Sequence, residues 1–148
     1  MDDTKAVLYV EDDDGDVLMM RRAWQKVGFQ NPLLVVRDGH EATEYLLGVG
    51  EFADRGRYPF PTLILLDLKL PRISGFELLA WLRGQEDGIR ALPVVILSSS
   101  ALFADNAAAK ALGISGYWVK SGDPRKLGEM VASLDGLLVD GAQPRTTT

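Results

Sequence analysis

The sequence predicts one α/β domain built on a doubly wound, five-stranded parallel sheet, and three observations carry that prediction. Five short runs of branched apolar residues recur along the 148-residue chain. The runs are apolar throughout instead of alternating, which suits strands covered on both faces. Between and after them lie segments patterned as helices, so the chain reads as a βα unit repeated five times.

The strands are KAVLYV, PLLVV, TLILLD, PVVILS and GYWVK. DVLMMRRAWQKVG and GHEATEYLLG each close on a glycine where a helix ends, and SGFELLAWLRGQ is amphipathic. FADNAAAKALG is rich in alanine, and PRKLGEMVASLDGLL follows a proline suited to a first helical turn. The simplest architecture joining them is a flavodoxin-like (βα)5 sheet with strand order 2-1-3-4-5. GVGEFADRGRYPFPT, before the third strand, is too long for a simple turn and reads as an ordered surface loop or a lid. The expected organisation is one domain over residues 1–140 and a frayed tail over 141–148.

Composition narrows the function. A net charge of −5 disfavours sequence-independent binding to nucleic acid, which needs a basic face. Without cysteine there is neither a disulfide framework nor a thiolate metal site, and no apolar run is long enough for a signal peptide or a membrane span. The expected location is the cytosol.

The polar residues gather at one place. Glu11 and Asp12 follow the first strand, Asp67 the third, Ser98 ends the fourth and Lys120 the fifth. In an open α/β sheet the carboxyl edge is where ligands bind. Oxygen ligands without a nearby His or Cys favour Mg²⁺. Asp67 is then a candidate nucleophile on phosphorus, with Lys120 as the neighbouring cation and the Ser98 hydroxyl as a donor to a phosphoryl oxygen. Asp13, Asp14 and Asp16 read as a helix cap and first turn, where the macrodipole favours negative charge. An EF-hand is excluded, because setting Gly15 at the loop glycine puts Val10 first and Arg21 last. His40 is the sole histidine and reads as an exposed residue at the start of the second helix.

The motifs VED, LLDLKLPRISGFEL, PVVILSSSA and GYWVK, in that order and each at a strand end, resemble the receiver domain of two-component response regulators over roughly residues 5–138. The resemblance implies that Glu11 and Asp12 are the acidic pair, Asp67 the phosphoacceptor, and Glu11, Asp12, Asp67 and the Lys69 backbone carbonyl the Mg²⁺ ligands. It further implies Ser98 and Tyr117 as the switch pair and Lys120 as the active-site lysine. Lys69 and Ser100, two positions beyond Asp67 and Ser98, would line the path of the water that removes the phosphate. Ser121 stands where receivers usually carry proline, and because a non-proline cis bond costs about 3 kcal/mol the cis peptide usual there cannot be carried over, which leaves the conformation of the Lys120–Ser121 peptide open.

The pattern is most similar to stand-alone regulators that partner bacterial phytochrome kinases. It implies a sensor histidine kinase as partner, no enzymatic activity beyond self-phosphorylation and autodephosphorylation, and a homodimer through the face of helix 4, strand 5 and helix 5. Leu127, Met130, Val131, Leu134, Leu137 and Leu138 offer more apolar positions there than one core-facing stripe requires. The competing function is a small Mg²⁺-dependent phosphohydrolase, which needs an acid two residues beyond the nucleophile, where this chain has Lys69. A flavin-binding module is weaker still, because the first βα turn is acidic.

Overall fold

The computed structural model describes residues 5–70, 73–99 and 110–139. Strands β1 (Ala6–Val10), β2 (Leu33–Val36), β3 (Pro61–Asp67), β4 (Val94–Ser98) and β5 (Gly116–Val119) form one parallel sheet in the order β2-β1-β3-β4-β5. This is the predicted topology. Val10 pairs with Val36 and Leu66, Asp67 with Leu97, and Ser98 with Val119, so the strands end together along one edge.

Successive strand residues serve opposite layers. Leu8, Val10, Ile64, Leu66, Val94 and Ile96 pack with helices α2 (Gly39–Leu47) and α3 (Gly75–Arg83). Val7, Tyr9, Leu63, Leu65, Val95 and Leu97 pack with α1 (Asp14–Val27) and α5 (Pro124–Ala132). Both faces are covered, which is why the strands read as unbroken apolar runs. A fully buried leucine stabilises by roughly 1.5–3 kcal/mol, whereas an exposed ion pair such as Arg37–Asp14 contributes at most about 1 kcal/mol, so the layers hold the fold.

Local signals set the helix ends. Asp13 caps α1 by accepting from the Asp16 amide at 3.0 Å, and Asp14 and Asp16 fill the first turn. Gly28 closes α1 at φ 92°, a left-handed conformation that favours glycine. Ser74 and Glu77 form a reciprocal capping box at the start of α3. Two features depart from the sequence reading. A short helix, α4 (Asp87–Arg90), lies between α3 and β4. The predicted last helix is two, α5 and α6 (Asp135–Val139): the Ser133 hydroxyl donates to the Met130 carbonyl and the Leu134 amide donates to Val131, tightening the turn and ending α5. The predicted helix over 103–113 lies outside the described residues up to 109, as do the expected tail and the end of the 1–140 domain.

The long connection before β3 is ordered and is not a lid, because it lies at the amino edge of the sheet, opposite the strand ends that carry Asp67 and Ser98. It contains a 3-10 turn at Gly50–Phe52. Tyr45, Phe52 and Tyr58 pack ring against ring, and the Tyr45 hydroxyl donates to the Pro59 carbonyl at 2.8 Å. Arg55 lies over the Tyr45 and Phe60 rings and donates to the carbonyls of Leu46 and Tyr58. No helix among the described residues is long and apolar enough to cross a membrane.

One glycine controls the approach of α3 to the end of β3. A Cβ on Gly75 would stand 2.6 Å from the Asp67 carbonyl oxygen and 2.7 Å from Leu68 Cα, both backbone atoms that cannot swing aside. Gly75→Ala is therefore expected to destabilise the fold by about 1–3 kcal/mol, read as a lower urea midpoint. An unchanged midpoint would show that the loop accommodates the methyl group freely.

Candidate functional site

The carboxyl edge brings Glu11, Asp12, Asp67 and Lys120 together from three strand ends. Glu11 directly follows β1 and is fully buried; its amide donates to the Val36 carbonyl at 3.0 Å, holding the residue in the line of the sheet. Asp67, the last residue of β3, is 4% exposed. Ser98 ends β4, is buried, and its carbonyl accepts from the Lys120 amide at 2.6 Å, which fixes the lysine backbone at the end of β5. Asp12 is exposed at the rim.

Lys120 is the hub. Its Nζ lies 2.9 Å from Glu11 Oε1, 2.8 Å from Asp16 Oδ2 and 3.2 Å from Asp67 Oδ2. Burial alone would lower its pKa; the hydrogen bonds it donates to Asp16 and Glu11 and the charges of Glu11 and Asp67 outweigh it and raise the pKa, so the ammonium stays charged. Glu11 Oε1 also accepts from the Tyr9 hydroxyl at 3.1 Å, while Oε2 accepts from the Asp13 amide at 3.2 Å. Asp67 Oδ1 accepts from the Lys69 amide at 3.1 Å. Even so, burial pushes the Glu11 carboxyl up from 4.5 to about 7, with Lys120 opposing the shift and Asp67 adding to it.

The residue set fits a divalent cation. One carboxylate oxygen from each of Glu11, Asp12 and Asp67 lies within 4.8 Å of the other two, and the donors are all hard oxygens. The three carboxylates line an open cavity of about 740 Å³ together with Lys69, Ser99 and Lys120.

The other sequence candidates fall as follows. Tyr117 is half-buried on β5 and packs against the α2–α3 layer, while its neighbour Trp118 packs against the α1–α5 layer. Ser100 lies outside the described residues. His40 is exposed near the start of α2. The Lys120–Ser121 peptide is trans, and no peptide bond among the described residues is cis. Of the six apolar residues near the end of the chain, Val131, Leu134 and Leu138 are buried and the other three half-buried, so the surplus read from the sequence is largely taken up by the core.

Sequence reasoning missed two members of the site. Asp16 is a first-turn residue, as expected, and it also binds Lys120. Tyr9 sits inside an apolar strand, but its period-two relation to Glu11 places both side chains on one face, and that alternation was the available signal.

The chain matches the family of response regulator receiver domains over residues 7–132 and belongs to that family. It is 32% identical over 136 residues to the response regulator Rcp1 of Synechocystis sp., covering 92% of this chain and 90% of that protein. Among solved structures it is similar to the response regulator RPA3017 in red light signaling of R. palustris, with a TM-score of 0.83 at 33% identity, covering 96% of this chain and 99% of that one. The phosphorylated cyanobacterial phytochrome response regulator RcpA superposes with a TM-score of 0.80 at 31% identity, over 96% and 99% of the two chains. The Mn²⁺-bound form of Rcp1 gives 0.77 at 30%, with the same coverage.

The buried Glu11 sets a pH dependence. In cation-free protein the folded state keeps a proton that the unfolded chain releases near 4.5, so stability falls as pH rises from about 4.5 to about 7. A divalent cation held there would need the ionised carboxyl, so the stability that it would add grows over the same interval. Urea midpoints with chelator and with Mg²⁺ are expected to diverge with rising pH; a gap that is constant from pH 5 to pH 8 would remove Glu11 from the cation site.

Proposed function

We propose that Asp67 accepts a phosphoryl group from the phosphohistidine of a sensor histidine kinase, and that the chain signals through the resulting change in its contacts. The observation that carries this reading is the convergence of a buried Asp67 with Lys120 at 3.2 Å beside two further carboxylates at one strand edge. A carboxylate oxygen of Asp67 attacks phosphorus, the P–N bond breaks with its electron pair leaving on the imidazole, and the new P–O bond makes an acyl phosphate. Lys120 supplies positive charge beside the acceptor, and the Lys69 amide orients Asp67 through its Oδ1. Glu11, Asp12, Asp67 and the Lys69 backbone carbonyl would hold Mg²⁺, which supplies neutralisation of the three carboxylates and of the phosphoryl oxygens.

The competing phosphohydrolase lacks its acid, since Lys69 occupies the position two residues beyond Asp67 and lines the cavity. Similarity to RPA3017 and RcpA, named for red light signaling and for phytochrome, supports a bacteriophytochrome as the kinase. Ser98 and Tyr117 are the proposed switch: the buried hydroxyl turns to a phosphoryl oxygen and the half-buried ring moves into the space left behind. A homodimer is the proposed assembly, through the face formed by the fourth predicted helix, β5 and α5. Support for it is the exposed Val119 on the edge strand β5.

After incubation with acetyl phosphate and Mg²⁺, intact-mass spectrometry is expected to show one phosphoryl adduct on the wild type and none on Asp67→Asn. Ser98→Ala is expected to take up phosphate in the same experiment but, in a parallel measurement of tryptophan fluorescence, to lack the change that phosphorylation is expected to cause in the wild type; an adduct on Asp67→Asn would reassign the acceptor. Light scattering across protein concentrations is expected to show a dimer, and a monomer at every concentration, with or without phosphodonor, would rule out that assembly.

A further inference from the structure

We infer that Asp16 tethers Lys120 in the unphosphorylated protein and is the acceptor that Lys120 yields when a phosphoryl group arrives. The inference rests on Asp67 being the phosphoacceptor.

An ammonium group has three N–H donors, and Lys120 Nζ stands within hydrogen-bond distance of three carboxylates, Glu11, Asp16 and Asp67. The lysine is saturated. Its contact with Asp16, at 2.8 Å, is shorter than its contact with Asp67, at 3.2 Å, so in this state the ammonium is drawn toward α1 and away from the proposed acceptor. Phosphorylation replaces the single charge of Asp67 with the larger charge of a phosphoryl group, and the cluster around Lys120 becomes more negative. One of the other two carboxylates must then loosen.

Burial decides which. Glu11 has a side-chain exposure of 1% and is held from three directions, by Lys120, the Tyr9 hydroxyl and the Asp13 amide. Turning it away would leave a buried carboxylate short of its cation. The Asp16 side chain is 37% exposed, and among the described residues Lys120 is the single donor to its carboxylate. It can rotate into water at small cost. Asp16 therefore acts as a positioning residue that competes with the phosphoryl group for one lysine, and the first turn of α1 gains a free carboxylate when the competition is lost.

Beryllium trifluoride with Mg²⁺, as a phosphoryl analogue, tests this by ¹⁹F NMR of the bound fluorines. Asp16→Asn is expected to bind the analogue about twofold to fivefold more tightly than the wild type, with shifted fluorine resonances. Asp16→Glu, which keeps a carboxylate, restores the wild-type affinity. Asp16→Ser repeats the gain if the asparagine variant folds poorly. Asp14→Asn is the control: it removes the same charge from the same helical turn and the same cavity, but Asp14 pairs with Arg37 instead of Lys120, and its affinity should stay at the wild-type value. Equal gains in Asp14→Asn and Asp16→Asn would reduce the effect to general electrostatics and overturn the tether. So would wild-type binding in Asp16→Asn. An absence of bound analogue in every protein, wild type included, would instead remove the phosphoacceptor reading and this inference with it.

Discussion

The site depends on one ammonium group. Three carboxylates from β1, α1 and β3 converge within bonding distance of Lys120 Nζ, and without that cation two of them, Glu11 and Asp67, would be buried charges facing each other. Such an arrangement is tolerated only where geometry and hydrogen bonds compensate for lost solvation. Here the compensation comes from the backbone: amides of Asp13 and Lys69 reach Glu11 and Asp67, and the Ser98 carbonyl fixes the peptide that carries the lysine. No buried side-chain polar atom among the described residues lacks a partner.

That dependence explains the strictness of the architecture around it. Lys120 reaches Asp67 because β4 lies between their strands with matched ends, and it reaches Asp16 because α1 starts directly above β1. A one-residue slip in any of these strands would turn the end residue to the opposite layer. The buried rows on both faces pin the register, so the apolar core, with no chemistry of its own, sets the positions of the charges.

Much of this is legible in the sequence, for a physical reason. Five unbroken apolar runs leave few sheets to choose from, and in a parallel sheet the residue after each run has one edge to occupy, so Glu11, Asp12, Asp67, Ser98 and Lys120 are placed together without any knowledge of distance. Side-chain partners are less legible. Asp16 on the lysine depends on the rotation of α1 about its axis, and the break between α5 and α6 depends on a serine bonding back to the preceding turn, which competes closely with continued helix. The count of apolar residues near the end of the chain misleads because it cannot distinguish a stripe facing a partner from two short helices that both rest on the core.

The aromatic loop at the amino edge bears on how such a chain changes over generations. Tyr45, Phe52 and Tyr58, with Arg55 against Tyr45, tie this loop to the end of α2 and to the core on the α2–α3 face. The strand it feeds is pinned separately, by β1 on one side and β4 on the other. Because the cost of closing a loop rises only slowly with its length, a change of length at its exposed residues, Ala53, Asp54, Gly56 and Arg57, would alter the outline of the molecule more than the strand register or the acidic pocket. The domain thus holds a region with room to diversify in shape at the sheet edge opposite the one where a single methyl group, at Gly75, meets backbone.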